Sequence, residues 1–359
     1  MASLYLHLPF CKKICPYCDF TRTVYRKETV DEYLEVLLKS LPEGDFETIY
    51  WGGGTPSCLS YQQLDKLLGV LDGRCKGEYT CECNVDDIEA DKLELLKSHG
   101  LNRLSLGVQS FSDRLLQIAG RSYDGQRAVS ALELAQKNFV NYSIDLLYGL
   151  PGQSGADFRQ DLLKAIGLKI PHLSLYALSI PEKSLWGKQG YTTDDDAQAD
   201  LYDIAIETLK DYQHYEVSNF ALPGYQAQHN LVYWRYQDYY GCGCGASGKL
   251  GNYRYTYTGN IQEYLDKQSL VEELRLSKTA AINEYTMLKL RLAEGIDPQE
   301  FRARWHYDFW DYYQQALEKH RTELVSGPQN IAIKEAYWFT GNQILVDFIK
   351  DDNDSDLAS

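Results

Sequence analysis

Three cysteines, Cys11, Cys15 and Cys18, stand in one short stretch, CKKICPYCDF from Cys11 to Phe20, with C-x-x-x-C-x-x-C spacing. Thiolates are the ligands of soft metals and of iron–sulfur clusters. Three so close together converge on one centre without help from distant chain. In a 4Fe–4S cubane three thiolates leave one iron open for a substrate or cofactor, and a fourth cysteine would close it. A structural zinc site is a second reading, although it wants a fourth ligand nearby and more often uses a C-x-x-C pair. The near histidine, His7, precedes the first cysteine by four residues and lies on an alternating stretch from Leu4 to Leu8. Inert buried cysteines are the third reading. Disulfide pairing fits poorly with nine cysteines, an odd count, and no secretory signal.

The chain has 359 residues, enough for one large domain and one small one. Its hydrophobic and charged fractions, 44% and 24%, are ordinary globular values. No apolar run approaches the ~18–20 residues of a membrane span. The N-terminus carries neither a basic region nor an apolar core with a cleavage site. The expected location is the cytoplasm, where thiols stay reduced. A formal net charge of −15 argues against a nucleic-acid partner, whose phosphates want a basic face. Many of the 29 tyrosines fall after Tyr191, and a ring with a polar tip suits a cleft for a flat ligand.

The elements that must position the cysteines alternate strand with helix. Leu4 to Leu8 reads as a strand, and Val30 to Leu41 as a helix with Tyr33, Leu34, Leu37, Leu38 and Leu41 on one face. Thr48–Trp51, Tyr79–Cys83, Asn102–Val108, Tyr142–Leu147 and His172–Leu178 read as further strands. Helices are predicted at Leu59–Leu71, at Glu89–Ser98 before Gly100, through much of Asp113–Asn138, and at Ala156–Leu168. This is an α/β pattern, and its six units fit a partial (β/α)6 barrel of TIM type over residues 1–180. In such folds the chemistry sits at the C-terminal ends of the strands. The cysteine loop follows the first strand, Gly52-Gly53-Gly54-Thr55 the second, and Glu82, Gln109 and Asp145 fall on the next three. Polar groups recurring at one end of five successive strands are hard to explain by packing.

Residues 181–275 read as an extension. It holds a helix from about Thr193 to Tyr212, opened by the acidic run Asp194–Asp196, and Gly-, Tyr- and Trp-rich segments over Val217–Tyr257. Residues 276–350 read as a mainly α, winged-helix-like C-terminal domain. It has helices across Lys278–Glu323, a hairpin at Ile331–Phe339 and a last helix at Asn342–Ile349. With so acidic a chain, this module is read as a packing element and not as a DNA reader. Residues 351–359 form an acidic tail expected to be disordered.

The cysteine loop and four stretches together resemble the radical S-adenosylmethionine family. The stretches are YLHLPFC from Tyr5 to Cys11, WGGGTPS from Trp51 to Ser57, LGVQSF from Leu106 to Phe111, and IDLLYGLP from Ile144 to Pro151. More narrowly, they resemble the group holding oxygen-independent coproporphyrinogen III oxidase and the haem chaperones. The likeness runs from Tyr5 to about Phe348. It implies a radical SAM barrel with a 4Fe–4S cluster on Cys11, Cys15 and Cys18. The open iron would chelate the amino and carboxylate groups of S-adenosylmethionine. A reduced cluster would then donate an electron to the sulfonium and break the C5′–S bond, leaving a 5′-deoxyadenosyl radical. Tyr5, Tyr17, Gly53, Gly54, Thr55, Glu82, Gln109, Arg121 and Asp145 match the family's cofactor-contact positions. Alone, Glu82 or Asp145 reads equally as half of a structural ion pair, and Arg121 as a surface residue.

Within the group, two features point to the chaperone branch. Phe20 stands where oxidase relatives carry a further cysteine, and the chain starts at its first strand where they carry an extension. HNLVYW, His229 to Trp234, resembles the H-N-x-x-Y-W signature associated there with haem. The likeness makes His229, Asn230, Tyr233 and Trp234 candidate haem contacts, in keeping with imidazole as an iron ligand and aromatic rings as porphyrin cover. Gly241–Gly248 (GCGCGASG), taken with Cys81 and Cys83, invites a second cluster, but small buried residues are the preferred reading. Ser247, Cys83 and Val85 depart from the branch's usual histidine, alanine and proline.

The resulting expectation is a haem chaperone binding haem, one 4Fe–4S cluster and S-adenosylmethionine, and passing haem to an acceptor protein that the sequence does not identify. A homodimer is compatible with it. Whether the protein turns over a substrate stays open. The rival is an oxidase decarboxylating coproporphyrinogen III in porphyrin biosynthesis. A radical enzyme acting on RNA is a third reading, disfavoured by the charge.

Overall fold

A computed structural model describes residues 1–327 and 329–351. Strands β1 (Ser3–Leu8), β2 (Ile49–Gly53), β3 (Tyr79–Asn84), β4 (Arg103–Gln109), β5 (Asn141–Tyr148) and β6 (His172–Ala177) lie side by side and parallel. Their crossovers carry α1 (Lys27–Lys39), α2 (Tyr61–Leu71), α3 (Ala90–Ser98), α4 (Gly125–Asn138) and α5 (Gly155–Gly167). One side chain in two points to these helices, which is why Leu4, Leu6, Trp51, Cys81, Leu104, Leu106, Ile144 and Leu146 are fully buried. The opposing helix faces are Val30, Tyr33, Leu34 and Leu37 on α1 and Leu64, Leu67, Leu68 and Leu71 on α2.

Local signals fix the helix ends. Ser60 with Gln63 and Ser154 with Asp157 form capping boxes, and Asp124 accepts from the Arg127 amide. Gly100 follows α3 at φ +84°. The stretch after Asp113 splits into a short helix, Asp113–Ile118, and α4, and Arg121 lies in the gap after Gly120. Asp194 caps α6 (Asp195–Thr208), accepting from the Ala197 amide, as the acidic run predicts.

Residues 181–275 continue the same sheet at both edges. β7 (Gln213–Glu216) and β8 (Asn219–Ala221) extend it antiparallel beyond β6. After α7 (Gln228–Trp234), β9 (Tyr239–Cys242) pairs parallel with β1, Tyr5 opposite Gly241. β10 (Ser247–Leu250), β11 (Tyr253–Tyr257) and β12 (Leu270–Arg275) follow antiparallel. The twelve strands run β12-β11-β10-β9-β1-β2-β3-β4-β5-β6-β8-β7. Tyr50 on β2 and Tyr176 on β6 are four strands apart, about 19 Å in a flat sheet. Here they lie within electrostatic reach of each other, so the sheet curls into a partial barrel. Tyr5, Tyr50, Glu82, Asp145 and Tyr176 share its concave face.

The C-terminal region is helical from α8 (Lys278–Lys289) through Gln314–Lys319. Its hairpin differs from the sequence expectation. β13 (Leu324–Ser326) pairs with β14 (Ile331–Ile333), and Glu335–Tyr337 is a helical turn. The Gly327 amide donates to the Asn330 carbonyl at 2.9 Å, so the turn falls before Ile331 and not after it. The indole of Trp338 then folds back onto the Ile333 carbonyl at 2.8 Å. The expected disordered tail lies, from residue 352 on, outside the described residues.

Candidate cluster and cofactor site

Beyond β1 the chain makes a loop closed by a two-residue parallel clasp, Phe10 opposite Thr23 and Cys11 opposite Val24. Cys11, Cys15 and Cys18 all belong to that loop and are half-buried free thiols. The Cys18 amide donates to the Cys15 carbonyl at 3.2 Å, and Arg22 donates to the carbonyls of Cys18 and Phe20. The Thr55 hydroxyl reaches Cys11 Sγ at 3.6 Å. Burial pushes the Cys11 thiol up to about 11, partly offset by Thr55. Metal binding here therefore releases protons. Among the described residues no three metal-ligating side chains gather tightly enough for a single ion.

His7, which the sequence offered no more than a distant part in a zinc site, holds this loop. Its Nδ1 lies 2.9 Å from the Tyr5 hydroxyl and its Nε2 2.8 Å from the Thr21 carbonyl. Burial lowers its pKa, and a neutral ring is what bridges those two groups.

Beside the loop lies a cavity of about 130 Å³ lined by Gly54, Thr55, Glu82, Cys83, Asn84, Ser105, Gly107, Gln109, Arg121 and Asp145. Six of the nine predicted cofactor positions therefore share one wall. Tyr17 joins through its hydroxyl, which accepts from Arg121 at 3.1 Å. Gly53 and Tyr5 flank the cavity on β2 and β1. Asn84, Ser105 and Gly107 were not foreseen. Asn84 accepts from Arg121 at 3.4 Å, and Ser105 donates to Asp145 at 3.3 Å. The glycines are needed by the protein's own packing. A Cβ on Gly53 would meet the His7 ring at 2.7 Å, and one on Gly54 the Phe10 carbonyl oxygen at 2.6 Å. Gln109 ends β4 at φ +66°, a left-handed conformation that a non-glycine residue adopts at a cost.

The electrostatics suit a zwitterionic ligand. Burial raises Glu82 to about 7, against a hydrogen bond from Tyr50 and with the Asp145 charge adding to the rise. Burial raises Asp145 to about 6, against hydrogen bonds from Ser174 and Ser105. Two carboxyls face the cavity, and the buried Nε of Arg121 has no protein partner. A ligand with an ammonium group, hydroxyl donors and a carboxylate would satisfy all three. S-adenosylmethionine has each, so the residues present fit the group.

The predicted haem residues lie elsewhere. α7 sits below the N-terminal ends of the strands, its Gln228 and His229 amides donating to Glu78 at 3.1 and 3.0 Å. His229 is fully buried, with Nδ1 2.7 Å from Thr48 Oγ1 and Nε2 2.8 Å from the Tyr233 hydroxyl. Burial pushes its pKa down to about 3. Its ring stacks on Tyr50, with centroids 5.2 Å apart. Asn230, Tyr233 and Trp234 are half-buried. Cys81 and Cys83 lie 4.0 Å apart within β3. In the Gly241–Gly248 stretch, a Cβ on Gly241 would fall 1.9 Å from the Ser247 carbonyl oxygen and one on Gly248 2.2 Å from the Tyr255 ring. The small residues there serve packing. Ser247 is exposed and bonded to Thr256 at 2.9 Å, and Val85 is buried.

Residues 5–165 match the radical SAM superfamily model, and residues 276–326 match the HemN C-terminal domain. The heme chaperone HemW of Lactococcus lactis is 35% identical over 98% of both chains. That of Escherichia coli is 38% identical over 84% of this chain and 85% of its own. Among solved structures, the E. coli coproporphyrinogen III oxidase HemN superposes with a TM-score of 0.83 over 97% of this chain and 90% of its own, at 23% identity. That last likeness speaks for the fold alone. The chain belongs to the radical SAM superfamily and, within it, to the HemW family of haem chaperones.

Proposed function

We propose that this protein is a cytoplasmic haem chaperone that binds one 4Fe–4S cluster, S-adenosylmethionine and haem, and hands haem to an acceptor protein. The observation that carries the reading is its likeness, along nearly its whole length, to proteins named as haem chaperones. Cys11, Cys15 and Cys18 would hold the cluster, and Glu82, Asp145, Arg121, Thr55 and Gln109 would orient the nucleotide. When bound, a reduced cluster with an open iron supplies an electron to the sulfonium.

The concave face supports a flat ligand. Tyr5, Tyr50, Tyr176 and Tyr233 give it aromatic walls with polar tips, and Tyr176 remains 42% exposed. His229 is occupied on both ring nitrogens, so iron ligation there requires its bond to Thr48 or to Tyr233 to open.

Haem titration of the anaerobically reconstituted protein tests the proposal. A Soret band that weakens in His229→Ala supports haem at this helix, and an unchanged spectrum in that variant removes His229 from the site. Catalytic formation of protoporphyrinogen from coproporphyrinogen III would defeat the chaperone reading in favour of the oxidase.

A further inference from the structure

The first glycine of WGGGTP does not line the cavity, yet it is tightly enclosed. A Cβ on Gly52 would fall 3.0 Å from Glu82 Oε1, 3.0 Å from the Tyr50 ring and 3.1 Å from the Tyr5 ring. Beside this missing side chain, the Tyr50 hydroxyl donates to Glu82 Oε1 at 2.8 Å. Tyr50 is in turn held from both sides. Tyr5, its partner across β1 and β2, stacks on it with centroids 6.2 Å apart. His229 stacks below at 5.2 Å and is itself fixed by Thr48 and Tyr233.

We propose that Tyr50, braced by His229 and set beside Gly52, is a positioning residue that aims the Glu82 carboxyl into the cofactor cavity and, by donating to it, favours the carboxylate. The inference rests on assigning that cavity to S-adenosylmethionine and is independent of haem. It gives the HNLVYW helix a part in the cofactor site at the other end of the strands, through one ring stack and one hydrogen bond. Glu82 is faced by Tyr50 from β2, Asp145 from β5, Tyr5 from β1, Tyr176 from β6 and Tyr233 from α7. Within that set Tyr50 is the side chain whose hydrogen bond favours the charged form, while Asp145 opposes it. Burial raises Asp145 to about 6 and Glu82 to about 7, so the upper step belongs to Glu82. Removing the Tyr50 hydroxyl moves the upper step.

The test is binding of S-adenosylhomocysteine to the anaerobically reconstituted protein from about pH 5.5 to about pH 8.5, a span covering both steps. Infrared titration of the Glu82 carboxyl, identified by its loss in Glu82→Gln, runs beside it without ligand. In Tyr50→Phe, which keeps the ring and its stack, both midpoints should move up by about half to one pH unit. Gly52→Ala, whose methyl group would crowd Glu82 Oε1 and the Tyr50 ring at 3.0 Å, should do the same, and His229→Ala should give a smaller shift in the same direction. Unchanged infrared and binding midpoints in Tyr50→Phe would overturn the proposal. A midpoint unmoved in a folded His229→Ala would remove His229 from it. Absence of ligand binding at every pH in the wild type would overturn the cofactor assignment, while the infrared midpoints still decide the part of Tyr50.

Discussion

His7 Nε2 lies 2.8 Å from the carbonyl oxygen of Thr21, tying the return leg of the cysteine loop to the first strand. The loop leaves that strand at Pro9 and comes back at Thr23, so this bond and the Phe10–Thr23 clasp determine where the three sulfurs stand. His7→Ala should cost about 1–3 kcal/mol, because it leaves the Thr21 carbonyl and the Tyr5 hydroxyl without a partner. The expected outcome is a lower urea midpoint together with faster loss of iron from the reconstituted protein. Unaltered iron retention would show that the clasp suffices.

Gly54 and Gly69 separate packing from propensity. A Cβ on Gly54 meets the Phe10 backbone on three atoms within 2.9 Å, whereas one on Gly69, within α2, meets nothing within 4 Å. Gly54→Ala should displace the cysteine loop from the cavity and weaken S-adenosylhomocysteine binding at least about tenfold, roughly 1.4 kcal/mol. Gly69→Ala should leave binding alone and stabilise the helix by about 0.5–1 kcal/mol. Equal binding by the two variants would refute the close approach inferred at Gly54.

The buried histidines make acid destabilising. His229 has a folded pKa of about 3, below its unfolded value of about 6.5. A depressed pKa contributes stability that is present above the unfolded value and lost as pH falls through that window towards 3. Urea midpoints should therefore drop between about pH 7 and about pH 5. The drop should be smaller in His229→Gln, which cannot take up a proton there. A drop of the same size in that variant would place the acid sensitivity at other residues.

Glu216 gives the opposite sign. It is fully buried, accepts from the Ser218 amide and from Asn219, and burial raises it to about 7. A raised carboxyl contributes stability that is present below its unfolded pKa and lost as pH climbs through 7. Glu216→Gln should thus gain in melting temperature relative to wild type between about pH 5 and about pH 8. The buried Oδ1 of Asn219, which lacks a partner, can turn to accept from the new amide. A melting difference independent of pH would show that Glu216 ionises freely.

Much of this site was legible in the residues, and the remainder was tertiary. The six central strands and their helices announced themselves because apolar residues recur along them at the strand and helix periods, whereas the break between Ile118 and Gly125 inside the stretch read as Asp113–Asn138 did not. The cysteine spacing and the acids on the third and fifth strands were visible for the same local reason. Arg121 carried no pattern of its own, and its place came from family likeness. β9 has no signal of its own, since Tyr239–Cys242 becomes a parallel strand by lying against β1, about 230 residues away along the chain. The hairpin was displaced because Leu324–Ser326, not a segment after Ile333, pairs with Ile331–Ile333, a partner choice that apolar periodicity does not register. His7 was passed over because alternation explained it as a strand residue, and its contact with Thr21 spans the whole cysteine loop.

Cys11, Cys15 and Cys18 carry the cluster assignment. Iron and acid-labile sulfide should be measured after anaerobic reconstitution, in wild type and in the variant with all three cysteines changed to alanine. About four of each per wild-type chain, and essentially none in the variant, is the predicted result. A full complement in the variant, or none in the wild type, would contradict it.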